Sequence, residues 1–176
     1  MELFCQKLRA LCDEWKESGT PSREKLMVMV EALEQWKSQG GITGLWSDPP
    51  LLLTTTLDDG LGQGIEIINC YAKMMGFQVM FLGLMKSPDA IIDACRREKP
   101  AMLGVTVLQM DSEDALAYIG RNLPPKAVLI AGGAAFQYDR QMAARCGVTY
   151  VAKNVVDFIG YTLKQRRQFG MIANAK

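Results

Sequence analysis

Asp58, Asp59, Gly60, Leu61, Gly62 and Gly64 sit between an apolar, threonine-rich run and a helical pattern. Glycines at such a junction leave the N–H groups of a helix start open to an anion, a nucleotide tail or a carboxamide-rich rim. The loop lacks the Lys-Ser/Thr of a P-loop, and its glycines are not spaced as Gly-x-Gly-x-x-Gly. A structural turn with acidic helix capping fits the same residues. Further along, Gly132, Gly133, Ala134 and Ala135 carry nothing larger than a methyl group. They allow either the close approach of a flat ligand or a tight strand-to-helix turn. Thr106 and Gln109 close another apolar run, where they could hydrogen-bond a ligand at a sheet edge; threonine there also serves simply as a β former.

The chain has no histidine. The commonest proton shuttle near neutral pH and the commonest metal ligand are both missing. No paired carboxylates, nucleophile–base pair or metal-ligand spacing stands out, so a self-sufficient hydrolase is not expected. Cys5, Cys12, Cys70, Cys95 and Cys146 never form Cys-x-x-Cys, which suits reduced core thiols better than a zinc or disulfide framework. The formal charge of +1 gives no overall field for nucleic acid or an anionic membrane. No apolar stretch reaches the roughly 20 residues of a membrane span, and the first residues do not read as a signal peptide. A cytoplasmic location is expected.

The elements that must position these residues follow from periodicity. Phe4, Leu8, Leu11, Cys12 and Trp15 predict a helix over 2–18 that ends at Gly19. Thr20 as cap, Pro21 in the first turn and Leu26, Met29, Val30, Leu33 and Trp36 predict a second helix reaching Gly40-Gly41. Residues 1–46 thus read as a helical hairpin, whose apolar faces would need a second copy in a homodimer or the rest of the chain as cover. Residues 47–176 form the second unit, beginning in a linker. From 51 onward strands (51–56, 77–82, 102–107, 127–130, 149–151) alternate with helices (65–75, 88–98, 111–121, 136–145, 155–168). Strict alternation predicts an α/β fold, a five-stranded parallel, doubly wound sheet of Rossmann-like or flavodoxin-like type. Ligands of such sheets lie at the carboxyl ends of the strands.

In order and spacing these pieces resemble the cobalamin (vitamin B12)-binding domain of methionine synthase, corrinoid methyl-carrier proteins and carbon-skeleton mutases. The resemblance rests on Gly76-Phe-Gln-Val, Leu82-Gly, Leu103-Gly-Val-Thr106 and Val128-Leu-Ile-Ala-Gly132-Gly133-Ala-Ala. The hairpin resembles a shortened helical cap. The family's Asp-x-His-x-x-Gly motif, whose histidine is the lower cobalt ligand, aligns with Asp59-Gly-Leu61-Gly-Gln-Gly64. Leu61 stands at the ligand position and cannot coordinate cobalt. Tyr150-Val151 stands where the family usually has glycine followed by an aromatic residue.

The resemblance implies a corrinoid bound without protein ligation. Asp59, Gly60, Leu61, Gly62, Gly64, Thr106, Gln109, Gly132, Gly133 and Ala134 would hold it, with Leu61 as an apolar floor. The chain would then carry methyl groups or electrons for a methyltransferase partner. An unligated cobalt is more easily reduced to the nucleophilic Co(I) state, and the chemistry would be the cofactor's. A sensor that binds haem instead, or only a regulatory protein partner, is the alternative reading. Haem would need an axial ligand such as Cys70 or Met110.

Overall fold

The computed structural model describes residues 1–173, and side chains through residue 171. α1 (Glu2–Ser18) and α2 (Arg23–Gln39) form the hairpin. α2 starts later than Thr20 and Pro21 suggest, because Ser22 takes the N-cap and its hydroxyl receives the Lys25 N–H.

Beyond the hairpin, β1 (Leu51–Thr56), β2 (Gln78–Phe81), β3 (Met102–Thr106), β4 (Val128–Gly132) and β5 (Tyr150–Val151) form a sheet. Their order is β2-β1-β3-β4-β5, and every pairing is parallel. The connecting helices are α3 (Gln63–Met75), α4 (Pro88–Glu98), α5 (Glu113–Asn122), α6 (Ala135–Tyr138) and α7 (Met142–Arg145), and α8 (Val155–Ala173) follows β5. The single helix expected over 136–145 is two short ones. Asp139 turns extended, and its carboxylate accepts the Gln141 N–H at 2.8 Å, starting a new turn.

The hairpin lies flat on one side of the sheet, α1 against α8 and α2 against α3. One apolar cluster therefore runs from Phe4 and Leu8 through Tyr71 and Met74 to Leu52 and Phe158. The Trp15 ring meets the edge of Tyr71 at 6.0 Å, and the Tyr71 hydroxyl donates to the Leu26 carbonyl at 3.0 Å. Trp36 packs against Phe4 beneath Lys7. These faces are covered within the chain, so the reason for pairing them in a second copy falls away. The hairpin covers α3 and α8, and its connecting turn and the first turn of α2, with Arg23 and Leu26, line the sheet cavity described below.

Residues of the expected linker are built in as well. Gly44 lies so close to Gly76 that an added Cβ would come within 2.8 Å of the Gly76 Cα. Trp46 packs on Phe77 at 4.6 Å, and its indole N–H donates to the Arg166 carbonyl at 2.8 Å. A second cluster, under α4 and α5, fills the opposite face of the sheet. Among the described residues no helix is long and apolar enough to cross a membrane.

Candidate functional site

β1 and β3 are neighbours although β2 separates them in sequence, which makes their carboxyl ends the switch point of the sheet. A cavity of about 390 Å³ opens there, within the range of small-molecule sites. Gly104, Ala131 and Gly132 form its sheet wall. Ile65 and Ile68 of α3 face Val155 and Phe158 of α8 across it. Thr20, Pro21, Arg23, Asp59, Lys153 and Asn154 ring its polar part.

The glycines of this wall differ in what the fold asks of them. A Cβ on Gly132 would stand 2.6 Å from the Ala152 carbonyl oxygen. One on Gly133, at φ +120°, would stand 2.1 Å from the Val107 oxygen. Backbone packing alone excludes side chains at both. Gly104 is different, because its Cβ would make only an ordinary 3.5 Å contact with Thr54. The strand has room for a Cβ there, and it would stand in the wall of the cavity. With no side chain at Gly104 the cavity stays open between the sheet and the helices.

The loop after β1 is tied down by its own aspartates. Asp59 is buried, and its Oδ1 accepts the N–H groups of Leu61 and Gly62, both at 2.9 Å. Gly62, at φ +68°, then starts α3. The Thr56 hydroxyl donates to the Asp59 carbonyl at 2.7 Å and accepts the Met85 N–H at 2.9 Å. Asp58 reaches the other way, to the loop after β3. Its carboxylate accepts from the N–H groups of Leu108 and Gln109 and from the Ser112 hydroxyl.

The structure brings Asp59, Gly64, Thr106, Gly132 and Gly133 to the cavity and leaves the other expected residues outside its lining. Gly60 is exposed beside the Met85 sulfur, and Gly62 packs against Leu84. Gln109 is engaged through its backbone while its side chain lies in solvent. Ala134 starts the short α6. Leu61 is 81% exposed and lies outside the cavity lining. It projects from the carboxyl edge, where Met85, Leu108 and Met110 are also exposed. Tyr150 stacks on Tyr161 and does not line the cavity.

Neither expected haem ligand lines the cavity. Cys70 is half-buried on α3, its thiol pushed up by burial and by the nearby Glu66, and Met110 is exposed. Among the described residues no three His, Cys, Asp or Glu side chains gather as for a metal ion. The aliphatic wall from α3 and α8 and the polar turn at 20–23 were not visible as site residues in the sequence. The readable signal was Asn154, whose side chain caps Asp157 N–H at 3.0 Å and fixes the start of α8 beside the cavity.

A parallel sheet with a glycine-faced slot at its switch point defines a cofactor-binding α/β protein. Residues 50–157, more than half of the chain, match the model of the B12 binding domain. The chain belongs to that family, and its cofactor is a corrinoid.

Among solved structures the chain is similar to a cobalamin-binding protein from Desulfitobacterium hafniense DCB-2, with TM-score 0.76 and 19% identity over 95% of this chain and 80% of that one. It is also similar to the monomethylamine corrinoid protein of Methanosarcina barkeri, with TM-score 0.61 and 17% identity over 79% of this chain and 64% of that one. A third likeness is to the methanol:cobalamin methyltransferase complex of Methanosarcina barkeri, with TM-score 0.58 and 17% identity over 91% of this chain and 64% of that one. The chain thus spans just under two thirds of the latter two. At these identities the likeness is one of fold. No curated protein matches the chain.

Proposed function

We infer that the chain is a carrier that holds a corrinoid with its nucleotide tail in the slot and its cobalt without a protein ligand, and presents it to a methyltransferase. The observation that carries this reading is the bare Gly104 beside the open slot, at a position where the fold would accept a side chain. A corrinoid, when bound, supplies a cobalt centre that accepts and donates a methyl group.

The chain's own residues then bind and orient. Gly104 and Gly132 leave the sheet wall flat, and Ile65, Ile68 and Phe158 keep water from the tail. Asp59 and Thr56 fix the path of the loop that bears Leu61. Leu61, Met85, Leu108 and Met110 offer apolar side chains at the carboxyl edge, where the macrocycle would lie. Leucine at 61 brings hydrocarbon and no coordinating atom to that edge, so a bound cobalt would gain no ligand from this position. The partner enzyme is proposed because one structure of similar fold is a methanol:cobalamin methyltransferase complex.

Apoprotein mixed with methyl- and hydroxocobalamin, desalted and examined by absorption spectroscopy, tests the reading. Retained corrinoid with a base-off spectrum is expected, because a tail in the slot is withdrawn from cobalt. A base-on spectrum would place the tail elsewhere. Failure to retain either corrinoid would remove the carrier reading.

A further inference from the structure

Two cations stand at the mouth of the slot, and they come from distant parts of the chain. Arg23, the first residue of α2, reaches it from the hairpin, and Lys153 from the loop before α8. The first residues of α2, α3 and α8 all stand at this mouth, so the positive ends of three helix dipoles add to it.

The neighbouring carboxylates are already engaged. Asp59 accepts from two N–H groups of its own loop, and Glu66 pairs with Arg23 through a single oxygen. A guanidinium carries five N–H donors in a planar fork. Glu66 therefore holds Arg23 in place while other donors remain for a second anion, and such forks match phosphate geometry.

Resting on the corrinoid reading above, we propose that Arg23, assisted by Lys153, binds the phosphodiester linking a corrinoid to its nucleotide tail. The chain thereby selects complete corrinoids over tail-less ones. The hairpin is then part of the ligand site, since the first residue of α2 delivers the anion-binding side chain. The covering of α3 and α8 by the hairpin and the recognition of the tail become one structural arrangement.

The test titrates apoprotein with cyanocobalamin and with cobinamide, which lacks the phosphate, ribose and base, at low salt and at about 0.5 M salt, where charge pairs are screened. Wild-type protein should prefer cyanocobalamin and lose part of that preference in salt. Arg23→Gln should weaken cyanocobalamin about tenfold, as loss of a charge-assisted contact does. It should flatten the salt dependence and leave cobinamide within about twofold. Lys153→Gln lies outside the hairpin and should act in the same direction more weakly, which separates ligand recognition from a folding fault in the turn. If both variants hold cyanocobalamin as wild type does, or if Arg23→Gln weakens both corrinoids equally, the phosphate role is wrong while the carrier reading stands. If wild type holds neither corrinoid, both fall.

Discussion

Asp58 accepts the Leu108 N–H at 2.7 Å across 50 positions of sequence, joining the loop after β1 to the loop after β3. The same carboxylate accepts the Gln109 N–H at 2.9 Å and the Ser112 hydroxyl at 2.8 Å. Two loops on either side of the switch point are thus held as one rim. Asp58→Ala leaves these donors without their acceptor. A loss of about 1–2 kcal/mol is expected, in keeping with a charged hydrogen bond that is partly replaced by water. It should appear as a lower midpoint in urea, with weaker corrinoid retention because the rim loosens.

Gly104 differs from Gly132 and Gly133 in that backbone packing does not demand a glycine there. Gly104→Val suits a strand, and its Cβ meets only an ordinary contact. The apoprotein should melt within a few degrees of wild type, while corrinoid retention is lost because the slot is filled. Gly133→Val is a poor substitute, since its Cβ would strike the Val107 carbonyl and disturb the fold itself. A Gly104→Val protein that binds normally would show that the tail does not use this slot.

Leu61 is exposed, so Leu61→His should cost under about 0.5 kcal/mol of stability. The imidazole would stand at the carboxyl edge, on a loop already fixed by Asp59. Bound corrinoid should then show the spectrum of a nitrogen-ligated cobalt at pH 8. That spectrum should revert toward the base-off form as the pH falls below about 6.5, where imidazole protonates. An unchanged spectrum across this range would mean that position 61 does not face the cobalt.

Burial pushes the Cys12 and Cys95 thiols up to about 11 from an ordinary 9.0. Both stay protonated in the fold while the unfolded chain ionises nearer its ordinary value. The stability tied to them is therefore fully present below pH 9 and is lost as pH rises toward 11. Urea midpoints should be level from pH 7 to about 8.5 and fall above that. Cys12→Ala/Cys95→Ala should flatten the alkaline limb, and an equally steep fall in that variant would assign the effect elsewhere.

The sequence showed the alternation of strands and helices, the parallel sheet and the lack of any imidazole, because periodicity and composition are local properties. Its motifs also carried the family resemblance, through Asp59, Gly64, Thr106 and the Gly132–Gly133 pair. Other parts were misread. Gly62 stood among the expected site residues, and the structure packs it against Leu84, outside the cavity lining. The helix over 136–145 divides because Asp139 offers the backbone a competing hydrogen bond.

Where a side chain goes once its element is formed was left to tertiary structure. Trp15 and Trp36 read as surfaces in want of a partner, and the chain covers them with its own α3, α8 and Phe4. Nothing local in the sequence marks Arg23, yet packing of α2 against α3 carries it to the mouth of the slot. The physical reason is range. A hydrophobic stripe specifies which face of a helix must be buried, whereas the cavity arises from gaps between faces brought together from residues 20 to 158, and no local pattern encodes that fit.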